Sequence, residues 1–140
     1  MTRYYYFPDI PLDVCTPANA ERYDKRALAL DRPELIKSIK ESGQLDPLLA
    51  TVRGSCKFVV EPGQGRWYVL NYLYVVSTFL LVRVEPEHED IFEQQFSGHQ
   101  REEIKTFEEA EKLFKHTNRE SHTGVGYLMR RGWLYVKQQP

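Results

Sequence analysis

The chain has 140 residues, 41% of them hydrophobic and 28% charged, and its 19 basic and 20 acidic side chains leave a formal net charge of −1. That is the make-up of one ordinary globular domain with a real core, which excludes a disulfide-stapled miniprotein and argues against a monomer built for tight duplex binding. Two distant cysteines, Cys15 and Cys56, form neither a zinc knuckle nor a dithiol motif and fit a reducing compartment.

The charge is unevenly spread. Residues 85–120 hold 11 acidic against 5 basic side chains, whereas residues 121–140 hold 3 basic and no acidic ones. A local basic patch at Arg130, Arg131 and Lys137 is the one nucleic-acid feature this leaves. The apolar stretch 69–84 is broken by Asn71, Ser77, Thr78 and Arg83 and falls short of the ~20 residues of a membrane helix. Met1-Thr2-Arg3-Tyr4 opens no signal peptide, so a cytoplasmic protein without membrane contact is expected.

In chain order, Tyr4-Tyr5-Tyr6-Phe7 reads as a strand closed by Pro8 and Pro11, which suits a sheet edge. Its aromatics either pack or stack bases, and only Arg3 is interleaved for the second role. Residues 15–32 suit a long loop with one helical turn around 20–30. Asp31 as N-cap, Pro33 and Glu34 in the first turn, and Leu35, Ile36 and Ile39 on one face predict a helix over 33–42, closed by Gly43. Strands at 47–52 and 57–61 follow, joined through a turn at 53–55.

The run 58–84 then reads as strand, glycine turn, helix over 66–76 and strand over 78–84. Its turn, Gly63-Gln64-Gly65-Arg66, aims backbone N–H groups and a helix dipole at one point, with a permanent charge beside them. Two readings stay open for it: an anion site, or a tight turn followed by a solvated arginine.

Pro86 and the carboxylates around it begin a helix over 87–97. His88 with Glu85 or Glu89 lacks metal-ligand spacing, so no metal site is expected. Thr106 caps a helix over 106–117 with Phe107, Ala110, Leu113 and Phe114 inward. The tail 124–136 is open between a short helix with a turn and a hairpin. Ser121-His122 has no third group to complete a triad.

Three boxes in this order resemble the amino-terminal domain of the ParB family of partition proteins, which shares its fold with sulfiredoxin. Residues 35–47, LIKSIKESGQLDP, are similar to the family's L-x-x-S-I-x-x-x-G-x-x-Q-P, with Asp46 in place of the glutamine; residues 63–69, GQGRWYV, stand where the family has G-E-R-R-x-R-A; and residues 100–110, QREEIKTFEEA, are similar to Q-R-x-x-L-x-x-x-E-x-A. The resemblance covers roughly residues 10–115. It implies an α/β (α+β) ParB/sulfiredoxin-like mixed sheet with packed helices over 1–97 and a helical extension over 98–140, a truncated helix-turn-helix.

It also implies a nucleoside triphosphate ligand, CTP or another NTP. Its contacts fall on Gly63, Gln64, Gly65, Arg66, Arg101 and Asp46. Where the family's Glu-Asn would hold a metal, this chain has Ser97-Gly98, so no Mg²⁺ is expected. Gln64 replaces the sulfiredoxin cysteine, which excludes that chemistry at the turn. Some family members are DNA clamps, and a few relatives are nucleases or kinases. With no activated nucleophile, the expectation is a nucleotide- or phosphate-binding switch associated with DNA transactions rather than an enzyme. A weak NTPase or nuclease is the enzymatic variant. The other class is a catalytically silent protein-interaction module or homodimer, for which Tyr4, Tyr5, Trp133 and Tyr135 are the candidate anchors.

Overall fold

The computed structural model describes residues 1–20, 24–54, 56–114 and 124–136. Six strands form one mixed sheet: β1 (Arg3–Pro11), β2 (Cys15–Pro17), β3 (Leu48–Thr51), β4 (Phe58–Val60), β5 (Ser77–Val84) and β6 (Glu102–Ile104), in the order β2-β4-β3-β5-β1-β6. β3 runs parallel to β5 and β2 parallel to β4, whereas β1 is antiparallel to both β5 and β6. The helices are α1 (Lys25–Leu30), α2 (Pro33–Ser42), α3 (Gln64–Tyr72), α4 (Glu89–Phe96), α5 (Phe107–Glu111) and α6 (Val125–Arg130). The mixed α/β class expected from the sequence is therefore the one observed.

Strand periodicity divides the core in two. Tyr5, Phe7, Leu48, Ala50, Leu80 and Val82 face a cluster completed by Trp67, Val69 and Leu70 of α3 and by Phe92 and Phe96 of α4. Their alternates Tyr4, Leu49 and Leu81 face a second cluster with Ala110, Phe114, Leu128, Trp133 and Leu134. Aromatic contacts hold the first: Phe58 stacks on Phe96 at 3.8 Å between ring centroids, and Tyr5 on Phe92 at 4.8 Å.

Several sequence expectations are corrected. β1 is an inner strand, not an edge: β6 pairs only with Tyr4–Tyr6, and a register irregularity between Phe7 and Ile10 takes up Pro8, so the missing N–H interrupts no ladder bond. The segment from residue 98, expected to be helical, first contributes β6 to the sheet. The expected loop 15–32 contains β2 and α1.

Asp31 does not cap α2. It keeps helical angles as the C-cap of α1, its N–H donating to the Ala27 carbonyl, so Arg32 takes the N-cap position without a side-chain bond. Gly43, at φ 73°, does close α2. Thr106 does cap α5, its hydroxyl accepting from the Glu109 N–H at 3.2 Å. The tail resolves to the short helix α6 and a turn at Gly132. No described helix is long and apolar enough to cross a membrane.

Candidate functional site

The site is built on the junction of β4 and α3. Glu61-Pro62 is a cis peptide, and Gly63 adopts φ 82°, ψ 38°, a left-handed conformation that a Cβ would oppose. α3 therefore starts at Gln64, two residues before the position expected. Gln64 and Arg66 lie two residues apart on a helix of 3.6 residues per turn, so they leave it on nearly opposite sides. Gly65 lies under the Arg32 side chain: a Cβ there would run into its guanidinium end.

On the Arg66 side, its guanidinium is 3.6 Å from a carboxylate oxygen of Asp46, whose side chain is only 2% exposed. Gln44 fixes that loop, donating to the carbonyls of Asp46 at 2.9 Å and Phe79 at 3.2 Å while accepting from the Thr78 hydroxyl at 2.6 Å. Burial draws the Arg66 pKa below its ordinary value, and Asp46 pulls it back up. The hollow these two residues line measures about 40 Å³, too small for a nucleotide.

On the Gln64 side lies a cleft of about 490 Å³ at the carboxyl ends of the parallel strands β3 and β5. Arginines of three separate segments line it: Arg53 after β3, Arg83 near the end of β5, and Arg131 after α6. Arg53 pairs with Glu61, and Arg83 with Glu85 at 2.5 Å. Burial pushes the Glu85 carboxyl up, but hydrogen bonds from Thr2 and Arg83 outweigh it and hold the group below its ordinary value.

Three further residues lining this cleft carry buried polar atoms without a hydrogen-bond partner among the described residues: Thr51 Oγ1, His88 Nδ1 and Trp133 Nε1. Native interiors hold few such atoms, because each one costs about 1–3 kcal/mol if left unpaired. The cleft thus offers two strong donors of neutral type, a hydroxyl and an indole N–H, beside guanidinium groups.

The structure brings Arg66 and Asp46 together and does not bring Arg101 to them. Arg101 pairs with Glu93 at 2.5 Å and lies over the rings of Tyr5 and Phe92, at 5.0 and 4.7 Å from their centroids. The expected interface anchors are corrected in the same way. Tyr4, Tyr5 and Trp133 are buried, at 1%, 7% and 9% exposure, and only Tyr135 is exposed. Tyr4 is committed internally, its hydroxyl donating to the Trp133 carbonyl at 2.5 Å and accepting the Tyr135 N–H at 2.9 Å.

The described residues contain no cluster of three potential metal ligands. Lys137 and the Ser121-His122 pair lie outside the described residues. Thr51, Arg53 and Arg83 were not singled out from the sequence as site residues, and Arg131 only as part of a local basic patch. They are far apart in the chain, and only the sheet order and the position of α6 bring them together.

The chain is similar to ParB-N domains. One is the C2221 form of a Pnob8-like ParB-N domain, at 18% identity and a TM-score of 0.44, covering 69% of this chain and 37% of that one. Another is the C-terminally truncated chromosome-partitioning protein ParB from Caulobacter crescentus complexed with CTP-γ-S, at 18% identity and a TM-score of 0.43, covering 79% of this chain and 59% of that one. The chain spans less than two thirds of the length of either. No protein-family model matches the sequence, and no curated protein matches it.

Proposed function

We propose that this protein is a ParB-like module that binds a phosphate-bearing ligand, a nucleotide in the first instance, in the cleft beside Gln64. The observation that carries this reading is the concurrence, in one cleft, of the first residue of α3, three arginines and three buried polar atoms lacking partners. The start of α3 supplies a positive dipole end, Arg131, 5.9 Å from the Tyr127 ring centroid, supplies a charge without an ion pair among the described residues, and the Thr51 hydroxyl and Trp133 indole N–H meet acceptor atoms of sugar or base. Gly63 and Gly65 shape the approach to that end of the helix, while Arg66 and Asp46 hold the turn in place from its other side.

The likeness of the Gly63–Arg66 turn to the family's phosphate box makes a nucleoside triphosphate the ligand to try first. Binding rather than turnover is the reading, since the residues around the cleft supply no carboxylate pair for a metal beyond Glu61 and Glu85, each already engaged with an arginine. A thermal-shift panel of CTP, ATP, GTP and inorganic pyrophosphate tests it. A ligand at 100-fold above its Kd should stabilise the fold by ~2.7 kcal/mol. No shift with any member of the panel would leave the silent interaction module as the better account, and the internal pairing of Arg66 with Asp46 is the feature that favours that second reading.

A further inference from the structure

Two helices of this fold close with the same cap and different residues. After α6, the N–H groups of Gly132 and Trp133 donate to Met129 and Leu128 at 3.1 and 2.9 Å, and the left-handed position is filled by Gly132 at φ 74°. After α3, the N–H groups of Tyr74 and Val75 donate to Asn71 and Leu70 at 3.2 and 3.0 Å, and the left-handed position is filled by Tyr74 at φ 57°. Glycine is the usual occupant because a Cβ is disfavoured there. Tyr74 is also 90% exposed and Val76, two residues on, 82% exposed, so packing within the fold does not explain either side chain. A disfavoured backbone conformation that holds an aromatic ring in solvent is a mark of use.

The surroundings of Tyr74 say what kind of use. It lies between two hollows, of about 660 and 460 Å³. Lys25, Arg26 and Lys40 line the first; Lys25 recurs in the second with Lys57. The carboxylates in these linings are Asp13 and Asp24, and Asp24 is engaged as the N-cap of α1, accepting the Arg26 N–H. Among the described residues, four cations against two carboxylates is a local excess on a chain of net charge −1. Trp67 lines the second hollow, is 5% exposed, and carries an indole N–H without a hydrogen-bond partner among the described residues. The Lys25 ammonium lies 5.5 Å from the Trp67 ring centroid.

We infer that this surface docks an acidic peptide segment of a partner protein. Its carboxylates meet the lysines and the Trp67 N–H, and its apolar side chains cover Tyr74 and Val76. A single-stranded nucleic acid would also use a tyrosine among cations, but it would bring a phosphate per residue against Asp13 and Asp24 and leave Val76 uncovered.

Fluorescence anisotropy on the full chain tests the inference, with a labelled peptide of alternating Glu and Leu, a Lys-Leu peptide of the same length and an oligothymidine. The acidic peptide should bind more tightly than either comparator. Its affinity should fall at least tenfold in Tyr74→Gly, a variant that places the favoured residue in the left-handed position and so retains the fold, and again in Lys25→Glu/Lys57→Glu. An Arg131→Ala variant should bind the peptide as the wild type does, because the nucleotide cleft lies elsewhere. Equal affinity in Tyr74→Gly, a preference for the basic peptide or the oligothymidine, or loss of binding in Arg131→Ala would overturn it.

Discussion

The guanidinium of Arg66 lies 3.6 Å from the buried carboxylate of Asp46, and that pair joins the turn before α3 to the loop after α2. Arg66 is 21% exposed at its side chain and Asp46 2%, so the contact is only partly screened by solvent. Removing the cation takes one partner from a buried carboxylate, and the exposure of Arg66 lowers the cost below that of a fully buried pair. Arg66→Ala is therefore expected to destabilise the fold by about 1–3 kcal/mol in urea denaturation. An unchanged midpoint would show that the pair does not hold the turn.

The aromatic stack of Phe58 on Phe96, with Phe7 at 5.2 Å, predicts a larger effect for a core truncation. Phe58 is fully buried between the sheet and α4, so Phe58→Ala should cost about 3–5 kcal/mol. Loss of cooperative unfolding, or a shift of that size, meets the expectation; a change under 1 kcal/mol would mean that the stack is not formed.

Alkaline pH should weaken the fold through two groups. Burial pushes the Tyr4 hydroxyl up from 10.0 to about 12, opposed by its bond from the Tyr135 N–H, and burial pushes the Cys15 thiol up from 9.0 to about 12. Both pKa values are higher in the folded chain than in the unfolded one. Their contribution is then complete below pH 9 and lost as the pH rises from 9 towards 12. Stability measured against pH should fall across that window. A Tyr4→Phe/Cys15→Ala double variant should show a flatter profile there, and an identical slope would contradict the assignment.

Much of the architecture was legible from local pattern. The strands 48–51, 58–60 and 77–84, and α2 with its Gly43 stop, follow from periodicity and turn chemistry. What escaped did so for identifiable reasons. The end of α3 carries tyrosine where a stop signal is normally glycine, so the helix was expected to end four residues later than it does. β6 is three residues long and mostly charged, which gives no strand signal. The aromatic residues Tyr4, Tyr5 and Trp133 read as surface anchors because the second core, which buries Tyr4 and Trp133, needs the sheet to be flanked on both faces.

The candidate site was half visible. Gly63 and Gln64 belong to a turn whose glycines announce it, whereas the pairing of Arg66 with Asp46 emerges only from the fold. The cleft itself was not visible, since Thr51 and Arg53, Arg83, and Arg131 and Trp133 come from three segments that only tertiary structure assembles.

The proposed binding of phosphate-bearing ligands in the cleft beside Gln64 runs through Arg131. Isothermal titration of CTP, ATP and pyrophosphate into the wild type and Arg131→Ala decides it. Measurable binding is expected for the wild type, with a loss of about 1.5–3 kcal/mol, roughly tenfold or more, in the variant, the scale of a hydrogen bond to a charged group. No detectable binding to the wild type, or equal affinity for both proteins, would contradict it.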